Sequence, residues 1–415
     1  MGEKNFFAQK RKEGIDMVKR LKAKLWTNQY VIIVLLSLVM FTAFYMITAG
    51  FPIYVASISN DPAIAGIMTA TLMFASLLTR FFASVIIQKI NRIVLLILSM
   101  LYFIGTIALT LVNDSISFLI FIRALQGIGF CMLTNLVFTI SSNIVPKSRL
   151  GEGLVYFALS TRVGTTIGPL IAIAYLERFS FRSMILITLG LMAFSFICSL
   201  FTKPRAEKGE NVSKTRHEPF YKYMFDKRVL LPCILVSLNY ITIAGTVNFM
   251  GAFGKEIGVG GQISQFFISQ GISMVIIRLF SEKIFDRFGH RILIIPDAIA
   301  GAGRLVMLGM AKGMLMVIIA GVLFGVAFAI IHPIVQAWAL TLVPEEKKAT
   351  ANSMLLIFID LGLTIGSIGL GFIAKRFGYS MTYRLSAVIM LVILVLYLVG
   401  NKKLLPAKTN KLQPA

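Results

Sequence analysis

Asp360 is the clearest acid in the middle of an apolar run of this chain, and Arg162 is a base in the middle of another. A carboxylate held inside an apolar run is a group that can take up and release protons. A guanidinium stays charged there and can hold a carboxylate or another anionic group. If the two paired with each other, they would instead form a static tie and Asp360 would stay ionised. Arg123 is also set inside an apolar run, where a guanidinium normally faces a cavity or a partner; near a membrane face it could snorkel, or it could only brace packing. His332, followed by Pro333, is a second proton-site candidate, and equally suits a neutral, hydrogen-bonded role beside a proline kink. Asp297 and Arg304 fall on one helical face and read as a structural or interfacial pair. No Gly-rich phosphate loop, metal-ligand cluster or Ser–His–Asp spacing stands out. The expectation is therefore no enzyme, no cofactor and no metal. Cys131, Cys198 and Cys233 lie in or beside apolar runs with neither metal nor disulfide spacing.

Two copies of one unit must position these groups. Residue 360 less residue 162 gives an offset of 198, and the same offset recurs without a gap. It carries Arg80 onto Arg278, Gln88 onto Asp286, Lys89 onto Arg287, Gly127 onto Gly325, Gly164 onto Gly362 and Gly168 onto Gly366. Composition says what surrounds the units. Of 415 residues, 57% are hydrophobic and only 14% charged, with a mean hydropathy of +0.83. A soluble chain would carry about a quarter of its residues charged. Apolar runs of about 20 residues recur along the whole length, enough to cross the hydrocarbon layer as helices. Twelve spans are expected. A basic segment, 1–28, precedes a first six-helix bundle at 29–201. A basic central loop at 202–228 leads to a second bundle at 229–400, and a basic tail follows at 401–415. The net charge of +23 is concentrated in alternate connections, which is the positive-inside pattern and argues for lipid rather than nucleic acid as the charged partner. Both termini are then expected on the cytoplasmic side of a bacterial inner or plasma membrane.

Three motifs carry a resemblance to a family. Asp286, Arg287, Gly289 and Arg291 fit a G-x-x-x-D-R-x-G-R-R/K loop motif after span 8, with Ser281 where a glycine is usual; the first-half copy has Gln88 and Lys89 in place of the Asp-Arg pair. Arg123, Gln126, Gly127 and Gly129 fit R-x-x-Q-G-x-G in span 4. Gly164, Gly168 and Pro169 match the G-x-x-x-G-P end of a span-5 motif. With six plus six spans and a basic central loop, the chain resembles the major facilitator superfamily over nearly its whole length.

That resemblance implies a gating role for the loop motif, whose carboxylate would latch the halves at a helix end. It implies proton coupling for Arg123, and export for the span-5 motif, whose glycines let a helix bend and pack closely. It also implies that spans 1, 4, 7 and 10 line a cavity. Their polar and aromatic residues include Thr42, Tyr45, Asn135, Asn239, Tyr240, Asn248, His332, Gln336 and Trp338. Such a lining suits amphipathic organic molecules better than sugars. The expectation is a secondary transporter, acting as a single chain, that exports a small organic compound by proton antiport. Amphipathic drugs are the first cargo. A carboxylate-bearing metabolite such as a metal-chelating compound is the alternative, since Arg162 would suit it. An importer of the same architecture comes next, and a non-transporting sensor or scaffold is more remote.

Overall fold

The structure, a computed structural model, describes residues 24–59, 61–146, 149–203, 225–288, 291–344 and 347–404. It is built of long helices, with no strand among the described residues. The first half contains α1 (Asn28–Ser59), α2 (Pro62–Lys89), α3 (Arg92–Leu109), α4 (Ile116–Ile144), α5 (Leu150–Leu176) and α6 (Phe181–Leu200). The second contains α7 (Leu230–Glu256), α8 (Gln265–Phe288), α9 (Arg291–Met310) and α10 (Met314–Thr341). A last helical run, Lys348–Leu404, breaks at Gly378, whose φ of 80° and ψ of 171° leave the helical region. The break divides the run into α11 (348–377) and α12 (379–404), giving twelve spans in two six-helix bundles. Among the described residues, nine helices are long and apolar enough to cross a membrane, the last two spans counting as one.

Local chemistry fixes the short turns. Asp61 caps α2 by accepting from the Ala63 N–H, with Pro62 in the first helical position, where its missing N–H costs nothing. Asn91 caps α3 through the Ile93 N–H, and Ser180 caps α6 through the Ser183 N–H. The outward faces carry exposed Phe82, Phe121, Ile187, Ile299, Leu315 and Leu391. A belt of that size is tenable only against lipid.

Small residues set the packing inside each half. A Cβ added at Gly164 would lie 2.7 Å from the Leu38 carbonyl, and one at Gly168 would lie 2.7 Å from the Thr42 carbonyl, so α5 lies flush against α1. The equivalent Gly362 and Gly366 press on the Ser237 and Ile241 carbonyls, so α11 lies flush against α7. The two halves thus reuse one glycine seam.

The halves meet mainly at the end of the bundle opposite the chain termini, here the far end. Gly66 of α2 sits against the Ser367 carbonyl of α11. Lys375 reaches Asp61 at 2.5 Å. The Gly261 N–H donates to Glu177 at 2.8 Å, and Thr69 donates to the Asn248 side chain at 2.8 Å.

Candidate functional site

A cavity of about 320 Å³ lies between the halves, running from mid-bundle toward the termini end. Tyr45 of α1, Asn135 of α4, Arg162 of α5, Tyr240 of α7, Gln336 of α10 and Asp360 of α11 all line it. Its first-half wall is aromatic, with Phe41, Phe130, Phe138 and Phe157. Its second-half wall carries Phe328 and an amide pair in which Gln336 donates to Asn352 at 2.5 Å.

Arg162 and Asp360 share this cavity without pairing. Asp360 is held by Arg80 of α2: Nε donates to Oδ2 at 2.6 Å and Nη2 to Oδ1 at 3.2 Å. Ser76, one helical turn away, donates to the same Oδ2 at 3.0 Å. The two charged side chains are 11% and 3% exposed, so the pair is buried. It ties α2 of one half to α11 of the other. The Arg162 guanidinium lies 4.6 Å above the Phe328 ring. Among the described residues, none of its N–H groups meets a protein acceptor. Of the described lining residues, Arg80, Arg162 and Asp360 are the charged ones, leaving the lining one positive charge in excess.

Several expected site residues lie elsewhere. Arg123 is fully buried beyond the far end of the cavity. The Phe51 ring covers its guanidinium at 4.6 Å, Nε donates to the Met68 carbonyl and Nη1 to Gln126. Gly127, next in the motif, lets α4 approach the Leu72 carbonyl of α2. The R-x-x-Q-G stretch therefore knits α1, α2 and α4 together and does not reach the cavity. Asn239 does not line it either. One step from Tyr240 turns a helix by about 100°, and Asn239 faces Met390 of α12 at 3.8 Å. Trp338 is two steps from Gln336 and packs edge-on to Tyr397, 5.8 Å between ring centres. Asn248 belongs to the far-end contact, donating to Ser367 at 2.8 Å, and the Thr42 hydroxyl returns to the Leu38 carbonyl of its own helix. Asp297 and Arg304 are both buried but not hydrogen-bonded to each other. Arg304 donates to Thr242 and Thr246 and stacks 4.2 Å over Phe324, while among the described residues both Asp297 oxygens lack a partner. Gly289 lies outside the described residues. The side chains of Gln88, Lys89, Asp286, Arg287, Arg291 and His332 are likewise outside the described ones.

Outside the membrane-spanning segments, two carboxyls are perturbed among the described residues. The hydrogen bond from Lys375 holds Asp61 below the usual carboxylate range. Arg228, aided by Lys347, holds Asp226 well below it.

Twelve helices in two glycine-seamed bundles about a central cavity define a membrane transporter rather than an enzyme. The family description Major Facilitator Superfamily matches residues 33–303 and 290–414, and the chain belongs to that family. An uncharacterized MFS-type transporter of Methanocaldococcus jannaschii is 21% identical over 299 residues, 70% of this chain and 77% of that one. The staphylopine export protein of Staphylococcus aureus is 19% identical over 373 residues, 87% and 93% of the two chains. Among solved structures, a mutant of the nucleoside transporter NupG superposes with a TM-score of 0.75 at 15% identity, covering 90% of this chain and 99% of that one.

Proposed function

We propose that this chain exports a small amphipathic organic compound across a bacterial plasma membrane by alternating access, coupled to protons through Asp360. The observation that carries the reading is the Arg80–Asp360 pair. It is buried, lines the cavity and spans the two halves. An ion pair of this kind is held only while both partners are charged; once one is neutralised, the other is left exposed to the cavity without a counter-charge. Proton occupancy of Asp360 therefore bears on both the cavity and the tie between the halves. The Lys and Arg of alternate connections support cytoplasmic termini; on that orientation the cavity extends toward the cytoplasm and the far end faces outward. Export is supported by the Gly164, Gly168 and Pro169 motif and by the full-length likeness to the staphylopine export protein. The cavity is enclosed by one chain, which fits a transporter working as a monomer.

The test uses inverted membrane vesicles carrying the protein, with lumen pH followed as compounds are added. A compound that changes lumen pH through the parent protein, and not through Asp360→Asn, is the expected result. A compound that the protein moves with no change in lumen pH would sink the coupling.

A further inference from the structure

Resting on the transporter reading above, we propose that the cavity is an organic-anion site: an apolar carboxylate lies with its anion on Arg162 and its body against the aromatic first-half wall. Arg162 is presented for this. Its ring-stacked guanidinium is fixed over Phe328, and its in-plane N–H fork, free of protein acceptors among the described residues, is the donor geometry that matches a carboxylate. Phe41 and Phe130 line the same cavity on the first-half wall; they face each other edge to plane with centroids 6.5 Å apart. The position recognises charge on one side and apolar surface on the other.

The same geometry excludes a cation. Both oxygens of Asp360 are taken by Arg80, and one of them also by Ser76. An ammonium group would have to displace Arg80, leaving two guanidinia and the cargo to share one carboxylate. An anion meets the opposite situation, since it neutralises the surplus charge of the lining.

The arrangement also fixes how anion and proton interact. When Asp360 takes a proton, Arg80 loses its counter-charge and becomes a second donor in the cavity. Anion and proton therefore bind together, and each raises the other's affinity by the same factor; such a cargo leaves with its proton, down its own outward gradient, rather than in exchange for one. The charged and titratable groups around Asp360 are Arg80 of α2, Tyr45 of α1, Cys131 of α4, Arg162 of α5 and Tyr240 of α7. Of these, Arg80 alone contacts the carboxylate. His332 stands on α10, its side chain outside the described ones, and is included as a control.

Three probes of one shape separate the possibilities: 2-naphthoate, 2-naphthamide and 2-naphthylmethylammonium, titrated calorimetrically into the purified full-length protein in detergent. Naphthoate is expected to bind about tenfold tighter than the amide, and the ammonium weakest. Arg162→Gln should bring naphthoate down to the amide's level and Arg162→Lys should recover part of the loss, with thermal melting confirming that both variants are folded. Equal affinity for all three probes, or a lead for the ammonium, would overturn the site. Naphthoate affinity should rise as pH is lowered. In Asp360→Asn it should be high and flat with pH, and in His332→Gln it should keep the slope. A flat parent, or a slope that survives Asp360→Asn, would overturn the linkage. Naphthoate binding with this pattern alongside silent vesicles would leave the site standing and remove proton-coupled export. Lumen pH that answers to amphipathic cations would do the reverse.

Discussion

A buried ion pair is more consequential when broken than when absent. Removing Arg80 leaves the Asp360 carboxylate in the cavity with Ser76 as its remaining donor, and losing one partner of such a pair typically costs about 3–5 kcal/mol. Arg80→Met should therefore lower the melting temperature substantially, as should Asp360→Leu, whereas the double variant should recover most of the loss. A double-mutant cycle on thermal unfolding reads this directly, and additive losses would show that the pair contributes nothing as a unit. The recovered double variant should still fail to couple protons in vesicles. At this scale the sequence was half legible. Asp360 and Arg162 stand out because charge in the middle of an apolar run is costly and rare. Arg80, nearer the end of its run, carries no local sign of a partner 280 residues away. Asn239 and Trp338 are polar or aromatic residues on the expected spans, yet their neighbours Tyr240 and Gln336 take the cavity. A one- or two-residue step decides that, and apolar helices buried on several sides give the sequence no periodicity from which to read it.

The helices themselves were almost wholly legible. Length and apolarity in lipid leave the backbone no alternative to helix, and Asp61, Asn91 and Ser180 mark starts through side-chain caps. The glycines of α5 and α11 were legible as spacing, but their opposing surfaces required the structure: α1 for one pair and α7 for the other. Both contacts are of glycine against backbone carbonyl, which cannot rotate away as a side chain can. Gly164→Val and Gly362→Val should each destabilise the protein by about 1–3 kcal/mol through overpacking. Because the two seams lie in different halves, the losses should add. Thermal melting of the two single variants and the double variant checks both statements. Gly190, with nothing near its Cβ position, is the control: Gly190→Ala in the interior of α6 should be neutral or mildly stabilising.

For the molecule as a whole, the question is what keeps the far end closed. Two first-half carboxylates, Asp61 and Glu177, each accept from the second half, from the Lys375 ammonium and the Gly261 N–H. Around them the contact is backbone against backbone at Gly66 and Gly371, so the carboxylates trim a closure that packing provides. Lys375 is 54% exposed, and an ion pair so placed is worth about 0.2–1 kcal/mol. Lys375→Met should therefore raise the open fraction of the far end only a few-fold, roughly what that energy allows. Spin labels on cysteines introduced at Ser57 and Lys312, one in each half, would report it as a growth of the longer distance; native Cys131, Cys198 and Cys233 are buried. The pH response follows from the direction of the Asp61 shift. Lys375 lowers its pKa in the closed state, so the pair contributes fully above the ordinary carboxylate value of about 3.9 and is lost only as pH falls through the lowered one. Acidifying from about pH 8 to about pH 5 should leave the closed distance unchanged in Asp360→Asn, where the far-end pair is read alone, because no part of that range reaches a lowered carboxylate pKa. An opening within that range that Asp61→Asn abolishes would make Asp61 a proton sensor and defeat the argument. An unchanged distance in Asp360→Asn, beside a pH-dependent one in the parent, leaves Asp360, inside the cavity, as the group through which protons act on the alternation.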